Sequence, residues 1–363
     1  MAKIRVIQII VAFLIFVCVS VFFYLNTFDG NFIYEKAEKC IRNGDLESGF
    51  KYYKKAADLG YAEAQYNIGK CYYEGKGVGK NFYKAFEYWK RATEQGHAEA
   101  QYNIGHCYAE GEGVVENFYK AFEYYKKAAD QWHAEAQYNI GNYYYEGKGV
   151  EKNFNKAIEY WKRAADQRYA EAQYMVGKCY YNGEGVEKDY TKAFEYYKKA
   201  ADQGLANAQN SLALCYYERK GVERDFNKAI EYWKRAADQG HTEAQLALGF
   251  CYHYGEGGVE KDLNKGFEYY KKAADHEHAE AQYMVGRFYY DGEGVEKDYT
   301  KAIEYWKKAA THGYVEAQSA LGYCYAEGKG VEKDLNKAIE YYKEAAKQGD
   351  YIAEKELVKL KVY

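Results

Sequence analysis

The 363-residue chain is predicted to be all-α: a right-handed α/α solenoid of helical hairpins preceded by one N-terminal transmembrane helix. Three observations predict it. Ala-Gln pairs recur at Gln65, Gln101, Gln137, Gln173, Gln209, Gln245, Gln282 and Gln318, at a spacing of 36 broken once by 37. There are 34 Gly and no Pro, the composition of uninterrupted helices with glycine stops. Residues 6–25 are an apolar run whose clearly polar members are Gln8 and Ser20. Self-similarity at this period means stacked units that bury their apolar faces against their neighbours. The composition excludes other classes. An apolar share of 48% with 19% aromatic residues is too rich for a disordered chain. Fifty-one Lys+Arg against 54 Asp+Glu leaves a formal charge of -3, which gives no overall pull on a phosphate backbone, so no nucleic-acid partner is expected.

Taken in order, residues 1–5 are a short cytoplasmic terminus and 6–25 a signal-anchor, because twenty helical residues at about 1.5 Å each span about 30 Å of hydrocarbon. Lys3 and Arg5 precede the run, and residues 26–31, a linker, carry no Lys or Arg. That asymmetry keeps the N-terminus cytoplasmic and places the rest on the exported side of a single-pass membrane protein. The competing reading is secretion after signal cleavage. Cys18 and Ser20 make a poor cleavage pair, and the apolar run continues through Val21, Phe22, Phe23 and Leu25. Residues 32–60, with Asn43-Gly44-Asp45 in place of a long loop, read as a capping hairpin. Eight units follow, 61–96, 97–132, 133–168, 169–204, 205–240, 241–277, 278–313 and 314–349, and 350–363 reads as a C-terminal capping helix.

Each unit reads as two helices. In the first, Ala64, Ile68, Gly69 and Tyr72 recur at helical spacing, and Gly75 and Gly77 stop the helix. Asn81 then caps the second helix, as do Asn117, Asn153, Asp189, Asp225, Asp262, Asp298 and Asp334 in the other units. Its buried stripe is Phe82, Ala85, Phe86, Trp89 and Ala92, ended by Gly96 in a left-handed stop. Tyr72, Tyr88 and Trp89 are expected to fill the space between units. Trp132, Arg168 and Glu277 replace the stop glycine, Arg219 replaces the first loop glycine, and the extra residue of the longer unit lies in the loop Gly255 to Gly258. The second-helix aromatic alternates as Tyr53, Trp89, Tyr125, Trp161, Tyr197, Trp233, Tyr270, Trp306 and Tyr342, as if two-unit blocks had been duplicated. A binding surface grows with every copy, whereas one active site gains little.

Ala-Glu-Ala-Gln-Tyr-Asn-Ile-Gly at 62–69, Glu-Gly-Lys-Gly-Val at 74–78 and Lys-Ala-Phe-Glu-Tyr-Trp-Lys-Arg-Ala at 84–92 resemble the Sel-one-like repeat, a cousin of the tetratricopeptide repeat with a longer glycine-bearing loop. The resemblance covers residues 61–349, and 32–60 is similar to a shorter tetratricopeptide-type pair. It implies a scaffold or adaptor for protein or extended peptide, the range of its relatives running from membrane complexes to envelope regulation and host interaction. It also implies that Glu63, Tyr66, Lys70 and Tyr73, which share one helical stripe, face the concave side.

Comparing copies sharpens that face. The columns of Ala64, Gln65, Tyr72, Lys84, Glu87, Tyr88 and Lys90 never change, whereas one column reads Lys70, His106, Asn142, Lys178, Leu214, Phe250, Arg287 and Tyr323. Packing constrains identical columns, so the varying one is expected to face solvent and carry partner specificity. Tyr66, Tyr102, Tyr138, Tyr174 and Tyr283 on one side, and Tyr73, Tyr145, Tyr181, Tyr217 and Tyr290 on the other, would be its rigid contact residues.

The remaining chemistry is sparse. Cys71, Cys107, Cys179, Cys215, Cys251 and Cys324 fill one column with Tyr143 and Phe288. Equivalent positions on stacked helices lie about 8–10 Å apart, beyond the ~7 Å reach of a disulfide, so buried thiols are expected. The eight histidines, His97, His106, His133, His241, His253, His276, His278 and His312, show no metal-binding spacing, with His276-Glu277-His278 the nearest approach to one, and neither metal nor cofactor is expected. Ser48-Gly49-Phe50-Lys51 matches the Ser-x-x-Lys of penicillin-recognising enzymes, which makes an envelope hydrolase of β-lactams or peptidoglycan fragments the alternative function. Neither Ser-Asp-Asn nor Lys-Thr-Gly accompanies it, and Ser48 falls at a helix start, so no catalytic residue is assigned. A carbohydrate-binding solenoid using the tyrosine-lined face is the second alternative.

Overall fold

A computed structural model describes residues 30–362. Among the described residues the chain is an all-helical solenoid of nineteen helices without a strand. The expected signal-anchor over 6–25, with residues 1–5, lies outside the described residues. Among those described, no helix is long and apolar enough to cross a membrane. The first helix, α1, spans 30–42 and so begins inside the stretch read as linker.

The helices fall into two compact units. The first, residues 30–172 with 184–186, holds α1, α2 (Leu46–Asp58), α3 (Ala62–Glu74), α4 (Phe82–Glu94), α5 (Ala98–Glu110), α6 (Phe118–Asp130), α7 (Ala134–Glu146) and α8 (Phe154–Asp166). The second, 173–183 with 187–362, holds most of α9 (Ala170–Asn182), then α10 (Tyr190–Ala201), α11 (Ala206–Glu218), α12 (Phe226–Asp238), α13 (Thr242–Tyr254), α14 (Leu263–Asp275), α15 (Ala279–Asp291), α16 (Tyr299–Thr311), α17 (Val315–Glu327), α18 (Leu335–Lys347) and α19 (Tyr351–Lys359). Within each unit the helices pack chiefly on their chain neighbours.

The local chemistry repeats. Gly75 takes φ 78° and its N–H donates to the Cys71 carbonyl at 2.8 Å, after which the loop brings the Asn81 N–H back to the Tyr72 carbonyl at 2.7 Å. The Asn81 side chain accepts from the Lys84 N–H at 2.9 Å. The equivalent asparagines and aspartates cap their helices in the same way, as the column predicts. At the far end Gly96 turns left-handed, donating to Thr93 while His97 donates to Ala92, which satisfies two carbonyls of the last turn. Trp132, Arg168, Arg219 and Glu277 keep that left-handed backbone, with φ from 62° to 67°. The hydrogen bonds therefore set the turn, and the non-glycine residue bears about 1–2 kcal/mol of strain.

The second loop glycine has another task. A Cβ on Gly77 would lie 2.3 Å from the Leu46 carbonyl oxygen, and one on Gly113 would lie 2.5 Å from that of Phe82. The glycine lets the loop press on the start of the preceding second helix, so it is a packing contact as well as a turn. In the longer loop Gly257 and Gly258 both take positive φ, and Asp262 still reaches the Tyr252 carbonyl at 2.8 Å.

One expectation is corrected. Trp89 does not fill a space between repeats; its ring lies on Gly69 of its own repeat, where a Cβ would sit 2.4 Å from Trp89 Cδ1. Trp161 on Gly141 and Tyr125 on Gly105 repeat this, because the missing side chain is what lets the two helices of a hairpin close on an aromatic ring. Between repeats the edge contacts are instead Phe50 against Tyr72 and Phe86 against Tyr108.

The invariant Gln65 column is a buried clasp. Gln65 Nε2 donates to the Ala57 carbonyl of the preceding second helix, and its Oε1 accepts from Gln95 Nε2 at 2.9 Å, at the end of its own second helix. Pairs 101–131, 137–167, 173–203, 209–239 and 318–348 close likewise. In the repeats of Gln245 and Gln282 the position of the partner glutamine is held by His276 and His312, and the Gln245 and Gln282 Oε1 atoms have no hydrogen-bond partner. Cys71, Cys107, Cys215, Cys251 and Cys324 are buried thiols outside any disulfide, and Cys179 is buried in the same column. Burial pushes Cys107, Cys215 and Cys251 up to about 12.

Candidate functional site

The varying column lies on an accessible face of the first helices. Lys70, Phe250 and Tyr323 are exposed, and His106, Asn142, Lys178, Leu214 and Arg287 are half-buried. The flanking tyrosines are less available than the sequence suggests. Tyr66 stacks on His97 with centroids 4.8 Å apart, Tyr102 on His133 at 4.6 Å, and Tyr138 and Tyr283 lie 5.3 Å from Tyr169 and Tyr314. Tyr174 leans on Tyr197 at 5.7 Å. These rings are pillars between or within hairpins, each offering one edge to the face, and burial raises the Tyr66 and Tyr102 phenols above their ordinary range.

Where the second column holds a tyrosine, the ring reaches toward the end of the next first helix and its loop. Tyr145 Oη donates to Glu184 at 3.1 Å, Tyr181 to Glu218 and Tyr217 to Glu256 both at 3.3 Å, while Lys220 and Lys329 donate to Tyr181 and Tyr290 at 2.7 and 3.0 Å. Lys329 also reaches Tyr323, and Arg287 pairs with Asp291 at 3.9 Å. His253 replaces the tyrosine in its repeat; it is buried, with Nε2 3.1 Å from Glu293, and burial lowers its pKa.

Two concavities gather predicted residues. In the first unit Tyr66, Lys70, Tyr73, Tyr102 and His106 surround about 240 Å³, with Trp89 below and Asn103 and Glu74 beside them. In the second unit Leu214, Tyr217 and Phe250 surround about 390 Å³, together with Asn210, Trp233, Leu246, Ala247 and Cys251, and with Glu218, Glu243 and Glu280. Sequence reasoning missed Asn210 and Leu246. The signal was present, since they interrupt the column of Tyr66, Tyr102, Tyr138 and Tyr174.

Four histidines read as ordinary surface residues are helix caps. His97, His133, His241 and His278 accept the N–H three residues on at Nδ1, at 3.2 or 3.3 Å. That leaves Nε2 to donate to Glu63, Glu99, Asn207 and Glu243 of the preceding repeat, at 3.0 to 3.2 Å. Ser48 sits in the first turn of α2, where its N–H donates to Asp45 at 3.0 Å, and Lys51 Nζ is held 2.9 Å from Glu47. Both contacts are those of a helix start. Among the described residues no group of three His, Cys, Asp or Glu side chains is placed to hold a metal.

The Sel1 repeat family model matches residues 32–61, 62–97, 98–131, 134–169, 170–205, 206–241, 242–278, 279–314 and 315–350. The chain belongs to the Sel1 repeat family. The first of its nine Sel1 repeats falls on the hairpin read from the sequence as a shorter cap. The crystal structure of a protective antigen present in uropathogenic Escherichia coli strains, which displays this fold, superposes with a TM-score of 0.79 at 33% identity, over 86% of this Sel1 repeat chain and 67% of its own. A Sel1 repeat protein from Oxalobacter formigenes follows at TM-score 0.66 and 32% identity, over 85% and 89%. The DAP3-binding cell death enhancer 1 of Rattus norvegicus is 47% identical over 45 residues, which spans 12% of this chain and 9% of that relative. A Sel1 repeat solenoid is consistent with a protein-interaction scaffold; proteins of this family typically bind proteins and are generally not enzymes.

Proposed function

We propose that this chain is a membrane-anchored adaptor that holds an extended segment of a partner protein against the first-helix face of its repeats. The observation that carries the reading is the contrast between columns. Several positions that pack are identical from repeat to repeat, and the position that varies most, from Lys70 through Leu214 and Phe250 to Tyr323, is exposed or half-exposed and borders concavities. Selection for packing alone leaves no reason for Lys, His, Asn, Leu, Phe, Arg and Tyr to alternate there, whereas a row of subsites along an extended chain does. The anchor rests on the apolar run 6–25 behind Lys3 and Arg5, and export of the repeats follows from that charge asymmetry. An exported placement is in keeping with the similar Escherichia coli protein being a protective antigen.

Affinity capture with the full chain is expected to recover a reproducible protein partner that Lys70→Glu and Phe250→Glu each weaken. Capture unaffected by both would overturn the use of this face. For the anchor, Lys84→Cys on an exposed helix start is expected to react with a membrane-impermeant maleimide in intact cells. Protection until the cells are lysed would place the repeats on the other side.

A further inference from the structure

We infer that the concavity of the second unit is a subsite for an apolar side chain flanked by Arg or Lys in a partner peptide. This rests on the scaffold reading and names the chemistry of one place on it.

The walls are apolar for a traceable reason. Five of the nine repeats combine the ring-on-glycine packing with a tyrosine in the Tyr66 column, but here Asn210 and Leu246 stand in that column, and Ala213 replaces the glycine in the repeat of Asn210. Asn210 is spent from below, since its Oδ1 accepts from Trp233 Nε1 at 3.1 Å. The shorter side chains leave about 390 Å³ between Leu214, Leu246, Phe250 and the Trp233 ring. That volume admits a Leu, Met or Phe side chain, and such apolar hollows are where binding energy concentrates.

The mouth is also apolar and exposed. Phe250 and Tyr254, one helical turn apart, have ring centroids 4.8 Å from each other and remain 42% and 47% exposed. In the first repeats the same two positions are Lys70 with Glu74 and His106 with Glu110, polar pairs that need no cover. A large exposed aromatic pair beside a hollow is an unfinished contact.

The charge around it has one sign left over. Glu218 is neutralised by Lys220 at 2.7 Å. Glu243 accepts from His278 Nε2 at 3.2 Å, while the Nδ1 of that histidine accepts a backbone N–H. Among the described residues neither Glu243 nor Glu280 has a Lys or Arg in ion-pair reach. Two carboxylates without a Lys or Arg partner beside an apolar hollow select a basic flank and reject an acidic one. The first-unit concavity, with Lys70 and four aromatic phenol or indole rings around about 240 Å³, offers neither the room nor the sign.

The test uses the full chain and fluorescein-labelled peptides of about twelve residues: one with Leu or Phe flanked by Arg, one with Glu in place of each Arg, and one with Ala in place of the anchor. By fluorescence anisotropy the Arg-flanked anchor is expected to bind about tenfold or more tightly than either counterpart. Asn210→Tyr, which installs the residue that the preceding repeat has at Tyr174, is expected to weaken it by about tenfold. Leu214→Lys, which installs the residue of the first repeat in that column, does the same by repulsion and guards against a folding defect in the first variant. Glu243→Gln with Glu280→Gln is expected to lower affinity several-fold and flatten its salt dependence. Equal binding of the Glu-flanked peptide, or binding indifferent to both Asn210→Tyr and Leu214→Lys, overturns the inference. A random peptide library selected on the same chain separates the two readings. Binders lost on Lys70→Glu but retained in Asn210→Tyr leave the scaffold standing and remove this subsite, and an absence of binders of any sequence removes both.

Discussion

In the unit of residues 30–172, the second helices of the 36-residue repeats start on Asn81, Asn117 and Asn153, and the clasps 65–95, 101–131 and 137–167 are all closed. In the unit that follows, the same helices start on Asp189, Asp225, Asp262, Asp298 and Asp334, and two clasps end on His276 and His312. The tyrosine pillars are also interrupted there, by Asn210 and Leu246. Meanwhile the Ala64, Ala92 and Tyr72 columns are identical in both. The difference teaches where a solenoid is free to change. Since each repeat answers only to its neighbours, a cap, a clasp or a surface pillar can drift in one repeat without disturbing the rest, whereas the contacts between backbones cannot.

The largest effect is expected where backbone meets backbone. Gly113→Ala must keep φ 73° and place a Cβ 2.5 Å from the Phe82 carbonyl oxygen, so strain and overpacking together predict a loss of about 2–5 kcal/mol. Gly258→Ala in the longer loop of the other unit meets nothing nearer than Phe226 Cβ at 3.4 Å and should lose only the backbone term, about 1–2 kcal/mol. Segment-resolved hydrogen exchange suits an array whose units need not unfold together. Equal loosening in the two variants would break the distinction between a turn glycine and a packing glycine.

The clasps come next. Gln131→Ala leaves the buried Gln101 Oε1 without its donor, the state already found at Gln245 and Gln282, and is expected to cost about 1–3 kcal/mol. In the other unit His276→Gln and His312→Gln are expected to gain about 1 kcal/mol each by closing the open clasps. A thermal shift of the same sign in both units would mean the clasp does not act.

These cases show what was legible in the sequence. The repeats, the cap column and the stops could be read because each is set by residues a few positions apart. The Gln65 column could be seen to be constant, but its partner stands thirty residues on, and His276 and His312 look like unremarkable surface residues until the pair is known. Trp89 was misplaced because one helical stripe serves both the hairpin partner and the next repeat, and only Gly69 beneath the ring tells them apart. The face was legible as a varying column. Its tyrosine pillars were not, since alternation along a helix does not say that Tyr102 will stack on His133.

A smaller effect tests the left-handed turns. Arg219→Gly in the second unit, and Trp132→Gly in the first, keep the observed φ of 62° and 67° while removing the clash of Cβ with the backbone, and each should gain about 1 kcal/mol. Trp132 is 70% exposed, so little packing is lost with its ring. A loss in either variant would show that the side chain, not the hydrogen-bonded turn, holds that stop.

The smallest effect separates the units by acid. The backbone N–H of the lysine three residues on holds each of Asp189, Asp225, Asp262, Asp298 and Asp334 below the usual carboxylate range, with the lysine side chain adding to it. A carboxyl whose folded pKa is depressed stabilises above its unfolded value, about 3.9, and that contribution fades as pH falls through the folded value. Protonated Asp still accepts a hydrogen bond, so what is lost is the attraction of its charge for the helix N-terminus. Asn81, Asn117 and Asn153 have no charge to lose, and in the first unit the depressed cap is Asp45, at the start of α2. Between pH about 5 and 3, then, hydrogen exchange corrected for intrinsic rate should rise at the starts of Tyr190–Ala201 and Phe226–Asp238 and stay level at Phe82–Glu94. Asp225→Asn should abolish the rise in its own helix alone, because the cap bond survives and the titration does not. If Phe226–Asp238 still loosens in that variant, the acid response belongs to the repeat interfaces and not to the caps.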